Sequence, residues 1–110
     1  MAALTLAQQF GANATISSGV LSIQLSDLTG VGLNGSSPSA SDISAALIML
    51  WERNQPTNAD TDPTVGILVS KDFTPKQFTT RGDVSQIEYR YSVYAYTPDS
   101  TSTLDPDSVV

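Results

Sequence analysis

Residues 41–54 read SDISAALIMLWERN, and this stretch decides the fold because residues typical of helix ends flank a long apolar run. Ser41 is placed to cap the first turn, and Asp42 complements the helix dipole there. Arg53 falls in the last turn, and Pro56 follows the end. The pattern predicts one main helix over 41–54.

The apolar side chains of this helix point in nearly every direction. Between residues 43 and 51 only Ser44 is polar, so winding at about 100° per residue leaves no continuous polar face along the run. One sheet in a chain of 110 residues covers one side of a helix. The other side needs a loop, an arm or a second subunit, and we expect Leu47, Leu50 and Trp51 in the core.

Three segments carry strand patterns. Leu21, Ile23 and Leu25 alternate with polar residues within Val20–Leu28, which is typical of a half-buried strand. Mostly apolar residues make up Val65–Ser70, and β-branched and aromatic residues dominate Val84–Tyr96. The predicted fold is α+β: a small antiparallel or mixed sheet of about four strands packed against the helix 41–54, with extended N- and C-terminal arms.

The long last strand has two different faces. Its two side-chain sets are Ile87, Tyr89, Tyr91, Val93 and Ala95 on one face, and Glu88, Arg90, Ser92, Tyr94 and Tyr96 on the other. Tyr94 and Tyr96 would be exposed in an isolated monomer. Because Glu88 and Arg90 share a face, we expect them to form surface or interface salt bridges.

The chain length fits one domain with a single core. We divide it into an N-terminal arm or edge segment at 1–19, a single α+β domain at 20–96 and an acidic C-terminal arm at 97–110. The glycine- and serine-rich stretch at 30–40 is expected to be a flexible connection.

The C-terminal arm, Thr97–Val110, contains three aspartates, two prolines and no basic residue. Such a composition is typical of a segment that is disordered on its own. If it is ordered, we expect Leu104, Val109 and Val110 to anchor it on a neighbouring chain, with Tyr94 and Tyr96 at the root of the contact. Truncation after Pro98 would then leave the melting temperature of the isolated domain nearly unchanged while weakening its incorporation into an assembly or its oligomerisation.

Composition excludes several classes of function. A net charge of −6 repels phosphate backbones, so nucleic acid is not an expected partner. Without cysteine there is no disulfide or thiolate metal site, and without histidine the commonest general base is missing. We expect an intracellular folding site, no signal peptide and no membrane span, because no apolar run is long enough.

Two short motifs resemble functional sites but have simpler structural interpretations. Arg81-Gly82-Asp83 spells the integrin-recognition tripeptide, but glycine with aspartate before a strand is ordinary turn chemistry. Asn58, Asp60 and Asp62 alternate like the start of a calcium loop. The required glycine and closing glutamate are absent there, so we favour a solvated acidic loop.

No arrangement of residues supports catalysis. A hydrolase without histidine or cysteine needs paired carboxylates, a Ser-Lys dyad or a metal, and Ser70 and Lys71 point to opposite faces of a strand. We therefore predict no catalytic residue, no cofactor and no metal ligand. An unusual carboxylate enzyme stays as the third hypothesis.

The favoured hypothesis is a structural subunit of a large assembly, whose partners are copies of itself and other subunits. Short proteins without cysteine and with extended arms are common among phage structural proteins. By this analogy we expect a bacteriophage virion protein: a capsid-decorating or cement protein, or a small head–tail or tail subunit. It would be located in the virion, or in the cytoplasm before assembly. A free-standing protein-binding or regulatory module, with a groove beside Trp51 and Tyr89, is the alternative. The candidate interface residues are Trp51, Glu88, Arg90, Tyr94, Tyr96, Leu104, Val109 and Val110.

Overall fold

The computed structural model describes residues 4–98 and 103–110, and the backbone at 73–75. The helices are α1 (Leu6–Phe10) and α2 (Ala40–Arg53), with 3-10 helices at Leu25–Val31 and Pro106–Ser108. The strands are β1 (Thr15–Ser17), β2 (Val20–Ser22), β3 (Ile67–Arg81) and β4 (Val84–Ala95). The predicted mixture of helices and antiparallel sheet is confirmed.

The expected sheet of about four strands is wrong. Over the described residues, β1 pairs with β2 and β3 with β4 as two separate antiparallel hairpins. The strand predicted over Val20–Leu28 ends at Ser22, and a 3-10 helix follows. Leu25, Leu28 and Val31 recur every three residues, the repeat of a 3-10 helix, and of these Leu28 is completely buried whereas Leu25 is 41% exposed.

The main helix begins earlier than predicted, and Ser41 is not its cap. Ser39 is the N-cap: its hydroxyl accepts a hydrogen bond from the Asp42 backbone N–H at 3.0 Å. The Asp42 carboxylate accepts one from the Ser39 backbone N–H at 2.9 Å. This reciprocal capping box satisfies two backbone donors, so it fixes the first turn better than a hydroxyl at position 41 could.

Over the described residues, helix α2 contacts α1, the first 3-10 helix and β3. The helix buries Ala46, whereas Leu47, Leu50 and Trp51 are only half-buried, so their predicted place in the core is wrong. Among the described residues the buried apolar core is Leu28, Ala46, Ala59, Val65 and Val69.

The N-terminal segment packs against the end of α2. The Trp51 indole N–H donates to the Gln9 carbonyl at 2.7 Å, and the Trp51 ring meets Phe10 edge-on with centroids 6.3 Å apart. Gly11 then turns the chain with φ of 108°, and a Cβ there would lie 2.7 Å from the Asp27 Cβ. Glycine is therefore required at this close approach.

The last residues return to their own domain. The Val110 backbone N–H donates to the Tyr96 carbonyl at 3.0 Å. A Cβ at Gly66 would lie 1.8 Å from the Val110 carbonyl oxygen and 2.8 Å from Val109 Cγ1. Val109 and Val110 thus lie on their own chain, where we had expected a neighbour, while Leu104 is exposed. The sequence also predicts that Asp99, Asp105 and Asp107 face basic groups or helix N-termini on a neighbouring chain, and of these Asp99 lies outside the described residues.

Candidate interaction surface

The longest feature of the molecule is the hairpin of β3 and β4. Gly82 and Asp83 join the strands with φ of 55° and 67°, the positive pair that a type I′ turn requires. Arg81 pairs with Val84 directly across this turn. The turn predicted at Arg81-Gly82-Asp83 is confirmed.

An irregularity divides the hairpin. Lys71 pairs with Tyr91 and Lys76 with Tyr89, so residues 72–75 stand opposite Arg90 alone. The Ser92 hydroxyl donates to Asp72 Oδ1 at 2.6 Å and holds the start of this bulge against β4. We call residues 67–71 with 91–95 the hairpin base, and residues 76–89 the distal hairpin.

The β3 strand of the hairpin base is covered in part by the helical part of the chain. Val69 is 3% exposed, and β3 lies against α2. Beside this contact an apolar groove of about 460 Å³ runs between α2 and β4, lined by Ala45, Ile48, Met49, Tyr89 and Tyr91. Met49, at the rim of this groove, is 41% exposed. The cover over the sheet is therefore incomplete on the β4 side.

The distal hairpin exposes large apolar side chains on the same face. The register pairs Phe78 with Ile87 and places Tyr89 two residues further along β4. Phe78 is 83% exposed, Tyr89 62% and Ile87 43%. Three neighbouring apolar side chains in contact with water form a patch of the kind that marks interaction sites.

The opposite face carries the ion pair expected from the sequence. Arg90 Nε donates to Glu88 Oε1, and Gln77 Nε2 donates to the same oxygen at 3.0 Å. The two charged side chains are 47% and 39% exposed. A pair this exposed adds little to the stability of the monomer, so both charges stay accessible to a partner.

The structure scatters the other candidate interface residues. Trp51 lies against α1 of its own chain, far along the sequence from the tyrosines of β4. Tyr94 is 47% exposed and Tyr96 38% exposed, as predicted for a monomer. Leu104 is 67% exposed, in the C-terminal segment. Trp51, Tyr94 and Leu104 thus belong to different parts of the molecule.

Phe78 is not among the candidate interface residues named from the sequence, because the strand patterns assigned no strand to residues 71–81. The signal was present: Thr79 and Thr80 are β-branched, and Gly82-Asp83 stands between two runs of strand formers. Such a turn predicts a hairpin whose first strand must contain Phe78.

Most acidic side chains hold local structure. Their carboxylate oxygens accept hydrogen bonds from neighbouring residues: Asp27 from Asn13, Asp42 from Ser39, Asp62 from Thr64, Asp72 from Ser92, Glu88 from Gln77, and Asp105 from Asp107. Hydrogen bonds from the side chain and the backbone of Thr64 lower the pKa of Asp62 below its ordinary value of 3.8. In the loop that resembles a calcium motif, this carboxylate therefore binds its own chain.

The described ranges, 4–98 and 103–110, contain no group of three or more acidic side chains placed to hold a metal ion. Within the same ranges, every helix is too short or too polar to cross a membrane.

Comparison with known proteins gives no relative: no family model, curated protein or solved structure matches the chain.

Proposed function

We propose that this chain is a non-enzymatic structural subunit of a large assembly, of the kind that small bacteriophage virion proteins represent. Within that class it would decorate a capsid, or join or build a head–tail or tail structure. The observation that carries the proposal is the distal hairpin, which presents Phe78, Ile87 and Tyr89 to water. A cluster of large apolar side chains exposed to water marks an interaction site, because a partner that covers it removes that apolar surface from water.

Two further features support a structural role over catalysis. The carboxylates that have hydrogen-bond partners are held in caps, turns and strand pairs, where they stabilise the fold. The chain also lacks histidine and cysteine, which perform most general-base and nucleophilic chemistry at neutral pH.

A free-standing protein-binding module is the second candidate, and the apolar groove between α2 and β4 favours it. Ala45, Ile48 and Met49 on the helix face Tyr89 and Tyr91 across this groove. A module would bind a different protein there and stay monomeric by itself.

Particle composition tests the proposal. The chain is co-expressed with the products of its neighbouring genes, and particles are isolated and examined by mass spectrometry and electron microscopy. We expect the chain in these particles at a fixed copy ratio. A variant carrying Phe78→Ser and Tyr89→Ser should fold normally, because both side chains are mostly exposed, and should be lost from the particles. Exclusion of the wild-type chain from every particle would contradict the proposal.

A further inference from the structure

We infer that β4 is a self-complementary edge strand, which pairs antiparallel with β4 of a second copy about a two-fold axis at Tyr89. The contact would make a four-stranded sheet from two hairpins. This inference rests on the proposed function, because it names the contact through which copies of the subunit meet.

The outer edge of β4 is the edge that can accept another strand. Over the described residues β4 pairs with β3 alone, and its 12 residues contain neither proline nor glycine. Unpaired backbone groups along such an edge form a template for a further strand.

In contrast, the outer edge of β3 is protected against pairing with a further strand. That strand carries both lysines of the chain, the bulge at 72–75 and Pro75, which has no backbone N–H to donate. Lysine, proline and bulges are the devices by which natural proteins block edge pairing. A second copy therefore meets β4.

Charge selects the register. Glu88 and Arg90 are the only charged residues in the sequence of β4, and they flank Tyr89 symmetrically. Antiparallel pairing centred on Tyr89 places Glu88 opposite Arg90 of the second copy, and Arg90 opposite its Glu88. Shifting the axis to Glu88 or to Arg90 would place like charges opposite each other, which is unfavourable.

The same register covers exposed apolar surface. It places Ile87 opposite Tyr91 of the second copy, which lines the apolar groove beside α2. It also places Val84 opposite Tyr94, which is 47% exposed. The side chains left bare on the distal hairpin of one copy thus approach the incompletely covered hairpin base of the other.

The distribution of net charge favours an antiparallel contact. Residues 67–95 hold four of the five basic residues and three of the eleven acidic ones, so the hairpin carries +1 and the rest of the chain −7. Antiparallel pairing puts the two acidic bodies at opposite ends of the shared sheet. Their repulsion is weakest in that arrangement.

Charge exchange tests the contact. Glu88→Arg and Arg90→Glu are each examined by sedimentation velocity over a range of concentrations. Either change places like charges opposite each other twice per dimer, so we expect the dissociation constant to rise about tenfold or more. An equimolar mixture of the two variants restores opposite charges at both positions, and should dimerise like the wild type.

Lys76→Glu is the matched control for Arg90→Glu, because it changes the net charge equally but lies on β3. It should leave dimerisation unchanged. A wild-type dimer that both single variants retain would overturn the β4 contact, and would leave the proposed function to the particle experiment. A wild type that stays monomeric up to its solubility limit would also overturn it.

A cross-link gives a readout that does not depend on charge. Since the chain has no cysteine, Tyr89→Cys introduces one thiol. Residues directly opposite in an antiparallel pair have Cα atoms about 4.5–5.5 Å apart, within reach of a disulfide. Under mild oxidation the variant should form a covalent dimer.

Ile87→Cys is its control, because residue 87 of one copy would lie about 13 Å from residue 87 of the other. It should remain monomeric on a reducing-agent-free gel. Cross-linking at 87 with none at 89 would contradict the register.

Discussion

Val69 and Phe78 lie on the same strand and, by the pairing register, on the same face, yet Val69 is 3% exposed and Phe78 83% exposed. Helix α2 lies against β3, but the β4 side of the hairpin base is less covered, since Val93, the partner of Val69, is 50% exposed. The difference teaches that burial along this face depends on which positions the rest of the chain covers and not on the composition of the strand. The same face stabilises the monomer at one end and is available to a partner at the other.

The largest effect should come from the covered region. Leu28 has no exposed surface, so Leu28→Ala is expected to lower the free energy of unfolding by about 2–5 kcal/mol. Phe78→Ala should change it by about 0.5 kcal/mol or less, since little of Phe78 is buried. Urea denaturation at low protein concentration measures both. Equal losses would show that the distal hairpin is covered within the monomer.

A substitution at Gly66, the residue before β3, tests how the C-terminal residues pack beside the hairpin base. Gly66→Ala puts a Cβ where the Val110 carbonyl and Val109 now lie, and should lower stability by about 1–3 kcal/mol. In a chain lacking residues 109–110 the same substitution should have little effect, because the clash is gone. Gly35→Ala is the control, since nothing lies within 4 Å of a Cβ there. Additive losses would mean that the C-terminal residues do not pack on Gly66.

Helix α2 lies against β3, so its first turn offers a smaller perturbation of the same region. Ser39→Ala removes the cap and should cost about 1 kcal/mol. Ser41→Ala, inside the helix and exposed, should be close to neutral. Thermal unfolding of the two variants distinguishes them. A larger loss at Ser41 would restore the cap predicted from sequence.

The smallest effect concerns Asp62 in the acidic loop. A carboxyl whose pKa is lowered by folding stabilises the folded state above its ordinary pKa, 3.8, and loses that contribution as the pH falls through the lowered value. Asp62→Asn should therefore melt slightly below the wild type at pH 7, and the difference should shrink as the pH falls through the lowered pKa. A difference that persists at low pH would point to a steric cause.

Particular residues show how far the sequence could predict this structure. The apolar run before Arg53 identified α2, and Gly82-Asp83 identified the turn, because both signals are local. The alternation that ends at Leu25 fitted a strand, whereas the structure has a 3-10 helix there with Leu28 buried. Burial of this kind depends on tertiary contacts, which a hydrophobic pattern of a few residues does not predict.

The interaction surface was predictable in part. Alternation along β4 placed Glu88 and Arg90 on one face, and the structure confirms their ion pair. The exposure of Phe78 was not predictable, because it depends on which positions of the hairpin the rest of the chain covers. The position of Val110 on Tyr96 likewise depends on the return path of the chain.

Sedimentation velocity of the whole chain, over about a thousandfold range of concentration, tests the central claim most directly. We predict a species heavier than the 11.6 kDa monomer at the higher concentrations. The variant with Phe78→Ser and Tyr89→Ser should remain a folded monomer at the same concentrations. A wild-type chain that sediments as an 11.6 kDa monomer throughout would contradict self-association and favour the free-standing binding module.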